Sequence, residues 1–281
     1  MITGNNTNLV YFSNLLQNDD RFSVACSRII HILDKYRIKS KFLHSTKDIW
    51  CRDYMPVQID REKFVQFRYE PSYLIEDLEH QSDTKTVCKV NNLSPEFTKI
   101  NLDGGNVVNW SDRAIVTDRI FRENPEYSDK SKLITEIEKL LEVELIVIPQ
   151  INSDITGHAD GMVRFLDKST LVGNSLTQEF VYWRKGMTKI LRDHNIEYID
   201  VPFFEHKDKK YPDSAIGVYV NFLEIGQLIL LPIFDIEGNH DKEVYDLFRV
   251  AYPDRIIETI NINEIAFNGG LLNCISWTIQ E

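Results

Sequence analysis

Long apolar runs are missing from this sequence. Nothing in its 281 residues approaches the roughly 20 consecutive apolar residues that span a bilayer, so no membrane-crossing helix is expected. Cysteine is scarce. Cys26, Cys51, Cys88 and Cys274 show no paired spacing, which argues against both a disulfide framework and a zinc cluster. No basic stripe stands out, and the formal net charge is -11, so nucleic acid is not expected as a partner. The opening residues, Met1 to Asn6, lack the basic-then-apolar pattern of a secretion signal. A reducing cytoplasm fits these features. There is no Pro/Gly/Ser-rich linker and no low-complexity tract. With 43% hydrophobic and 27% charged residues, the chain reads as one globular domain over 1–281. Self-association into a homo-oligomer stays open.

What is present is a repeat, visible in pattern rather than in identity. The chain opens as strand (Asn8 to Phe12), helix (Phe22, Cys26, Ile29, Ile30 and Leu33 on one face) and strand (Ile38 to Leu43). A fuller unit follows later. Asn106 to Trp110 and Ala114 to Thr117 flank a turn, a helix carries Leu133, Ile137 and Leu141, and Glu144 to Ile148 reads as a strand. The same order recurs from Gly161 to Val201, and again from Gly217 to Thr259. Residues 54 to 102 fit it less cleanly. Units that each begin with a hairpin and add a helix and a strand predict an α+β fold of small mixed sheets about a centre, a propeller-like plan. The first segment lacks a hairpin and the tail from Asn268 to Gln280 supplies one more strand, so the two ends are expected to complete one unit together.

Four stretches carry chemistry. Gly157-His158-Ala159-Asp160 offers a proton shuttle beside a carboxylate, both pointing one way if the segment is extended. It reads equally as a strand-end histidine with a polar neighbour. Trp50-Cys51-Arg52-Asp53 puts an apolar wall and an acid in a short turn, or simply an Arg–Asp surface pair. Asp103-Gly104-Gly105-Asn106 lets the backbone approach a ligand, or makes a tight turn into a strand. Gly269-Gly270 precede Cys274, which is a nucleophile or a small core residue. The remaining histidines considered, His31, His44, His194, His206 and His240, show no partner pattern.

Together and in this order, Trp-X-Arg-Asp-X-X-Pro (50–56), Asp-Gly-Gly-Asn (103–106), Gly-His-X-Asp (157–160) with Arg164-Phe165, and Gly-Gly-X-X-X-Cys (269–274) resemble agmatine deiminases and the bacterial peptidylarginine-deiminase-like proteins. The resemblance runs from about residue 45 to the end and takes in Asn221-Phe222 and Pro232. It implies the pentein fold of the guanidine-modifying superfamily, a five-bladed ββαβ propeller, in agreement with the repeat. It also implies roles. Cys274 is the nucleophile, His158 the general acid and base, and Asp53 and Asp160 the carboxylates that grip a guanidinium. Trp50, Asp103, Gly104, Gly105, Asn106, Gly269 and Gly270 fall to substrate binding. No metal or organic cofactor is implied.

The activity so implied is hydrolysis of a small cationic guanidine: agmatine to N-carbamoylputrescine and ammonia, on a route to putrescine, or the same reaction on a related substrate. Deimination of free or protein-bound arginine, amidino transfer, and non-catalytic guanidine binding are the competing readings. Two positions depart from the family pattern. Asp103 stands where Glu is usual, and Asn273 precedes the cysteine where agmatine deiminases often carry His.

Overall fold

The computed structural model describes residues 1–281. The chain runs through strands β1 (Leu9–Ser13) and β2 (Lys39–Leu43), then β3 (Val57–Gln58), β4 (Phe64–Arg68) and β5 (Glu96–Asn101). Next come β6 (Val108–Trp110), β7 (Arg113–Thr117) and β8 (Glu144–Ile148), then β9 (Val163–Asp167), β10 (Thr170–Asn174) and β11 (Glu197–Val201). The last are β12 (Leu223–Ile225), β13 (Leu228–Ile233), β14 (Ile256–Asn261) and β15 (Ser276–Ile279). These form five three-stranded sheets. In each, a central strand pairs antiparallel with one neighbour and parallel with the other, as β7 does with β6 and β8. A parallel partner demands a crossover, and a helix supplies it in every sheet: Ser23–Lys35, Thr84–Val90, Lys130–Leu141, Val181–Asp193 and Asp241–Ala251. The architecture is the five-fold ββαβ propeller.

Local chemistry explains the crossovers. The helix Ser23–Lys35 buries Ala25, Cys26, Ile29 and Leu33, which recur at helical spacing and face the sheet. Asp83 and Asp129 cap the next two helices, accepting from Lys85 N and Ser131 N at 2.9 Å and satisfying N–H groups that the first turn leaves free. Central strands such as β13 are buried along nearly their whole length, because a helix covers one face and the neighbouring unit the other. The largest apolar cluster joins the first and last units. No helix is long and apolar enough to cross a membrane.

The ends close the ring as expected. β15 pairs antiparallel with β1, Leu9 opposite Ile279 and Phe12 opposite Ser276. Trp277, 2% exposed, donates its indole N–H to Pro56 O at 2.7 Å, and Gln58 exchanges two hydrogen bonds with the Gln280 backbone. The C-terminal strand is thereby tied to both the first and the second units.

Three sequence expectations need correction. The strand expected over Gly217 to Leu223 begins only at Leu223. Gly217 takes φ +96° with the Phe204 carbonyl where a Cβ would sit, and the chain after it bends so that Asn221 reaches Cys274. Residues 158–160 are not a strand either: His158 is extended, but Ala159–Gly161 form a 3₁₀ turn. The Trp50–Asp53 turn is a short helix, Cys51–Tyr54.

Candidate active site

The site segments share one position in the fold. Trp50–Asp53 precede β3, Asp103–Asn106 precede β6, His158–Asp160 precede β9, Asn221 precedes β12, and Asn273–Cys274 precede β15. Each lies just before the first strand of a unit. Units arranged about a centre bring equivalent positions together, so five segments scattered over more than two hundred residues meet at one end of the propeller.

The meeting point is Gly105. A Cβ there would lie 2.5 Å from Asp53 Oδ1, 2.7 Å from His158 Nδ1 and 3.4 Å from Asp160 Oδ2. Only a glycine leaves room for these three groups. Its own N–H donates to Asp53 Oδ1 at 3.0 Å. The His158 ring is held at Nε2 by Asp103 Oδ2 at 2.8 Å, while Nδ1 stands 3.5 Å from Asp53 Oδ1, beyond a close hydrogen bond. Asn273 Nδ2 donates to Asp160 Oδ2 at 2.6 Å. Cys274 Sγ lies 3.9 Å from that same oxygen and 3.2 Å from Asn221 Nδ2, which donates to it.

The three carboxylates share a pattern. The protein holds one oxygen of each: Oδ1 of Asp53, Oδ2 of Asp103 and Oδ2 of Asp160. The second oxygen of each accepts nothing from the protein, and none is sealed from solvent. All three residues are less than a tenth exposed. Three carboxylate oxygens left open around one histidine make a receptor for something that donates several N–H groups.

Electrostatics point the same way. Burial alone would depress the His158 imidazole, but Asp53 and Asp103 outweigh it and push the group up to about 10, so the ring is an imidazolium at neutral pH. Burial pushes the Asp53 carboxyl up and the charge on His158 pulls it back down, the two groups titrating as a pair. Burial, together with the Asp160 and Asp53 carboxylates, holds the Cys274 thiol well above its ordinary value. The site therefore keeps a protonated thiol beside negative charge, and a bound cation would relieve both.

The other expected residues surround this cluster. The Trp50 ring lies over Gly270, where a Cβ would come within 2.4 Å of it. Gly104 packs on the Arg52 carbonyl and Gly269 on the Asp213 backbone. Asn106 is engaged from behind: its Oδ1 accepts from Thr117 N at 2.9 Å and Ala159 N at 3.2 Å, which braces the His158 turn. His194 and His240 pair with Glu144 and Glu243 elsewhere. Two residues at the site were given no role by the sequence. Asn221 carried only a place in the family resemblance, and Tyr73, which donates to Asp103 Oδ2 at 2.8 Å, lies in the stretch whose pattern was least regular.

Asp48 supports the Trp50 segment, accepting from Trp50 N at 2.8 Å. Burial raises its carboxyl to about 7, offset in part by that hydrogen bond. A folded pKa above the unfolded one gives stability that is complete below the unfolded value, near 4, and is lost as pH rises through about 7. Asp48→Asn keeps the acceptor and removes the charge. It should raise unfolding free energy by about 2 kcal/mol at pH 8 and by little at pH 4. Urea melts at the two pH values would show it, and equal midpoints at pH 8 would refute it.

The family model of the Porphyromonas-type peptidyl-arginine deiminases matches residues 11–279. The chain belongs to this family. A Photobacterium profundum relative named "putative agmatine deiminase" is 23% identical over 280 residues, covering 84% of this chain and 76% of the relative. Among solved structures, C. jejuni agmatine deiminase superposes with a TM-score of 0.82 at 15% identity, covering all of this chain and 95% of that one. A cysteine-to-serine variant of it with substrate bound gives 0.80 at 14%, covering all of this chain and 96% of that one. At such identities these structures establish the fold.

Proposed function

We propose that this chain hydrolyses the guanidine C–N bond, releasing ammonia and leaving a ureido product, with Cys274 as nucleophile. One observation carries the reading. Three buried carboxylates, each with one oxygen held and one open, surround a histidine next to a partly buried thiol. A guanidinium is planar and cationic and presents its N–H groups in forked pairs, which suits such acceptors. Free amines lack the planar fork, and anions would be repelled.

The reaction follows from the geometry. Asp53 and Asp160 bind the guanidinium nitrogens and orient the carbon toward Sγ. The substrate's charge offsets the carboxylates that keep the thiol protonated, so the thiol gives its proton up to solvent as the substrate binds, and the Asn221 amide donates to the thiolate. Sulfur then bonds to the guanidinium carbon. His158 gives the proton on Nδ1, its ring nitrogen without a close partner, to the departing nitrogen, and the C–N bond breaks as ammonia leaves. The S-linked thiouronium that remains is attacked by water, whose proton goes to the now neutral His158. The C–S bond breaks last, freeing the urea and the thiol. One water is consumed for each ammonia released.

Agmatine is the substrate we favour, supported by the names of the curated relative and of the solved neighbour. Its product, N-carbamoylputrescine, lies one hydrolysis from putrescine. The test is ammonia release and mass change on agmatine, arginine, a blocked arginyl peptide and methylated arginines. A gain of about 1 Da on one of them, as expected for exchange of NH for O, names the substrate. Silence on all four, from folded protein whose Cys274 also resists a haloacetamidine probe, would end the deiminase reading.

A further inference from the structure

The segment between β4 and the helix Thr84–Val90 lies against the site, although its residues belong to none of the site motifs. Tyr73 is its point of entry. The phenol donates to Asp103 Oδ2 at 2.8 Å, the oxygen that also holds His158 Nε2 at 2.8 Å. Its ring meets the imidazole edge-on, centroids 6.1 Å apart. Asp103 Oδ2 thus takes two donors while Oδ1 takes none from the protein.

The segment is anchored with care. Glu123 accepts from Ser72 N at 2.9 Å and from Ser72 Oγ at 2.7 Å. Arg119 pairs with Glu123 at 3.0 Å, donates to Ser72 Oγ at 3.2 Å, and lies over the Tyr73 ring at 5.3 Å. Its other arm donates to the Ile155 carbonyl at 2.8 Å, on the loop that leads to His158. One buried ion pair therefore ties the Tyr73 segment to the histidine's own loop, and the phenol cannot drift without disturbing both.

We propose that Tyr73 is a positioning residue of the deimination site, holding the Asp103 carboxylate so that Oδ2 fixes the imidazole and Oδ1 stays open to the substrate. The claim rests on the deiminase reading for its catalytic meaning. The Asp103 side chain is short and has little reach to find its own orientation. An outside donor on one oxygen sets that orientation. Burial and the Asp103 charge keep the phenol well above its ordinary pKa, so it remains a donor across the working range. Donation to Asp103 also draws charge from the oxygen that faces His158, and its loss should leave that oxygen a better partner for the imidazolium.

The variant is Tyr73→Phe, read by NMR titration of the His158 ring and by separate kcat and KM. The groups facing the imidazole are Asp53, Asp103, Asp160 and Tyr73, and only the last is changed. The His158 midpoint should rise by about half a pH unit, and kcat should fall about tenfold with KM moving less, as for an interaction made mainly in the transition state. A purely packing role would leave the titration where it was. An unmoved or lowered midpoint in folded Tyr73→Phe overturns the proposal, as does an unchanged kcat. If the wild type releases ammonia from no guanidine, the deiminase reading fails, while the titration still decides whether Tyr73 acts on His158 through Asp103.

Discussion

Cys274→Ser should bind guanidines and turn them over at least about 10⁴-fold more slowly than the wild type. Binding survives because the open oxygens of Asp53, Asp103 and Asp160 are untouched, and they supply the charge that attracts the substrate. Turnover fails because a hydroxyl in this place has no base strong enough: the Asp160 carboxylate, 3.9 Å from Sγ, is far too weak to ionise it. His158 is already an imidazolium, held there by Asp53 and Asp103 against the pull of burial, and Asn221 can donate to an anion but not accept a proton. A thiol can be ionised by the field of a bound guanidinium; a serine hydroxyl, several pKa units weaker as an acid, cannot. Calorimetric binding with the substrate found in the panel, alongside single-turnover rates, separates the two effects. Turnover within tenfold of the wild type would remove Cys274 from the mechanism.

Asp160→Asn should move two observables in opposite directions. Substrate capture weakens: kcat/KM should drop about 10²- to 10³-fold, the loss expected when a buried cation gives up a charge-assisted forked partner worth about 3–4 kcal/mol. The thiol, meanwhile, becomes more acidic. Cys274 Sγ is 3.9 Å from Asp160 Oδ2, and that carboxylate is among the causes that hold the thiol high. With the charge gone, alkylation by iodoacetamide at pH 8 should become faster even as catalysis becomes slower. The amide can still accept from Asn273, so the local fold has no reason to fail. Slower or equal labelling would show that Asp160 does not govern the thiol, whatever its effect on substrate.

How much of this was legible beforehand can be traced residue by residue. Strands Glu144–Ile148 and Glu197–Val201, each at the edge of its sheet, stand where the apolar pattern placed them, because an amphipathic helix and the strand that follows it leave periodic marks on neighbouring residues. The strand over Gly217 to Leu223 did not, since a run of Val, Tyr, Val and Phe carries the same mark whether it pairs in a ladder or lies buried beneath a loop. Here the Phe204 carbonyl and the reach of Asn221 to Cys274 decided for the loop. His158 and Asp160 were picked for their spacing on a strand and are brought together by a 3₁₀ turn. The structure places both residues at the cluster, through a turn and not through a strand's alternation.

The sequence by itself determined the repeat, the closure of the ring by its two ends, and the set of acids, histidine, glycines and cysteine that the site draws on. The repeat follows from short-range periodicity, which neighbours a few positions apart impose; the set of site residues follows from the four ordered motifs and the family they resemble. The tertiary structure alone decided which oxygen of each carboxylate is held and which is open, which ring nitrogen of His158 is free, and that Tyr73 and Asn221 take part. Such orientations are set by partners remote in the chain: Asn273 on Asp160, Asp103 on His158, Tyr73 on Asp103. A hydrogen bond across so long a loop depends on how whole units pack about the centre, and no local pattern records that.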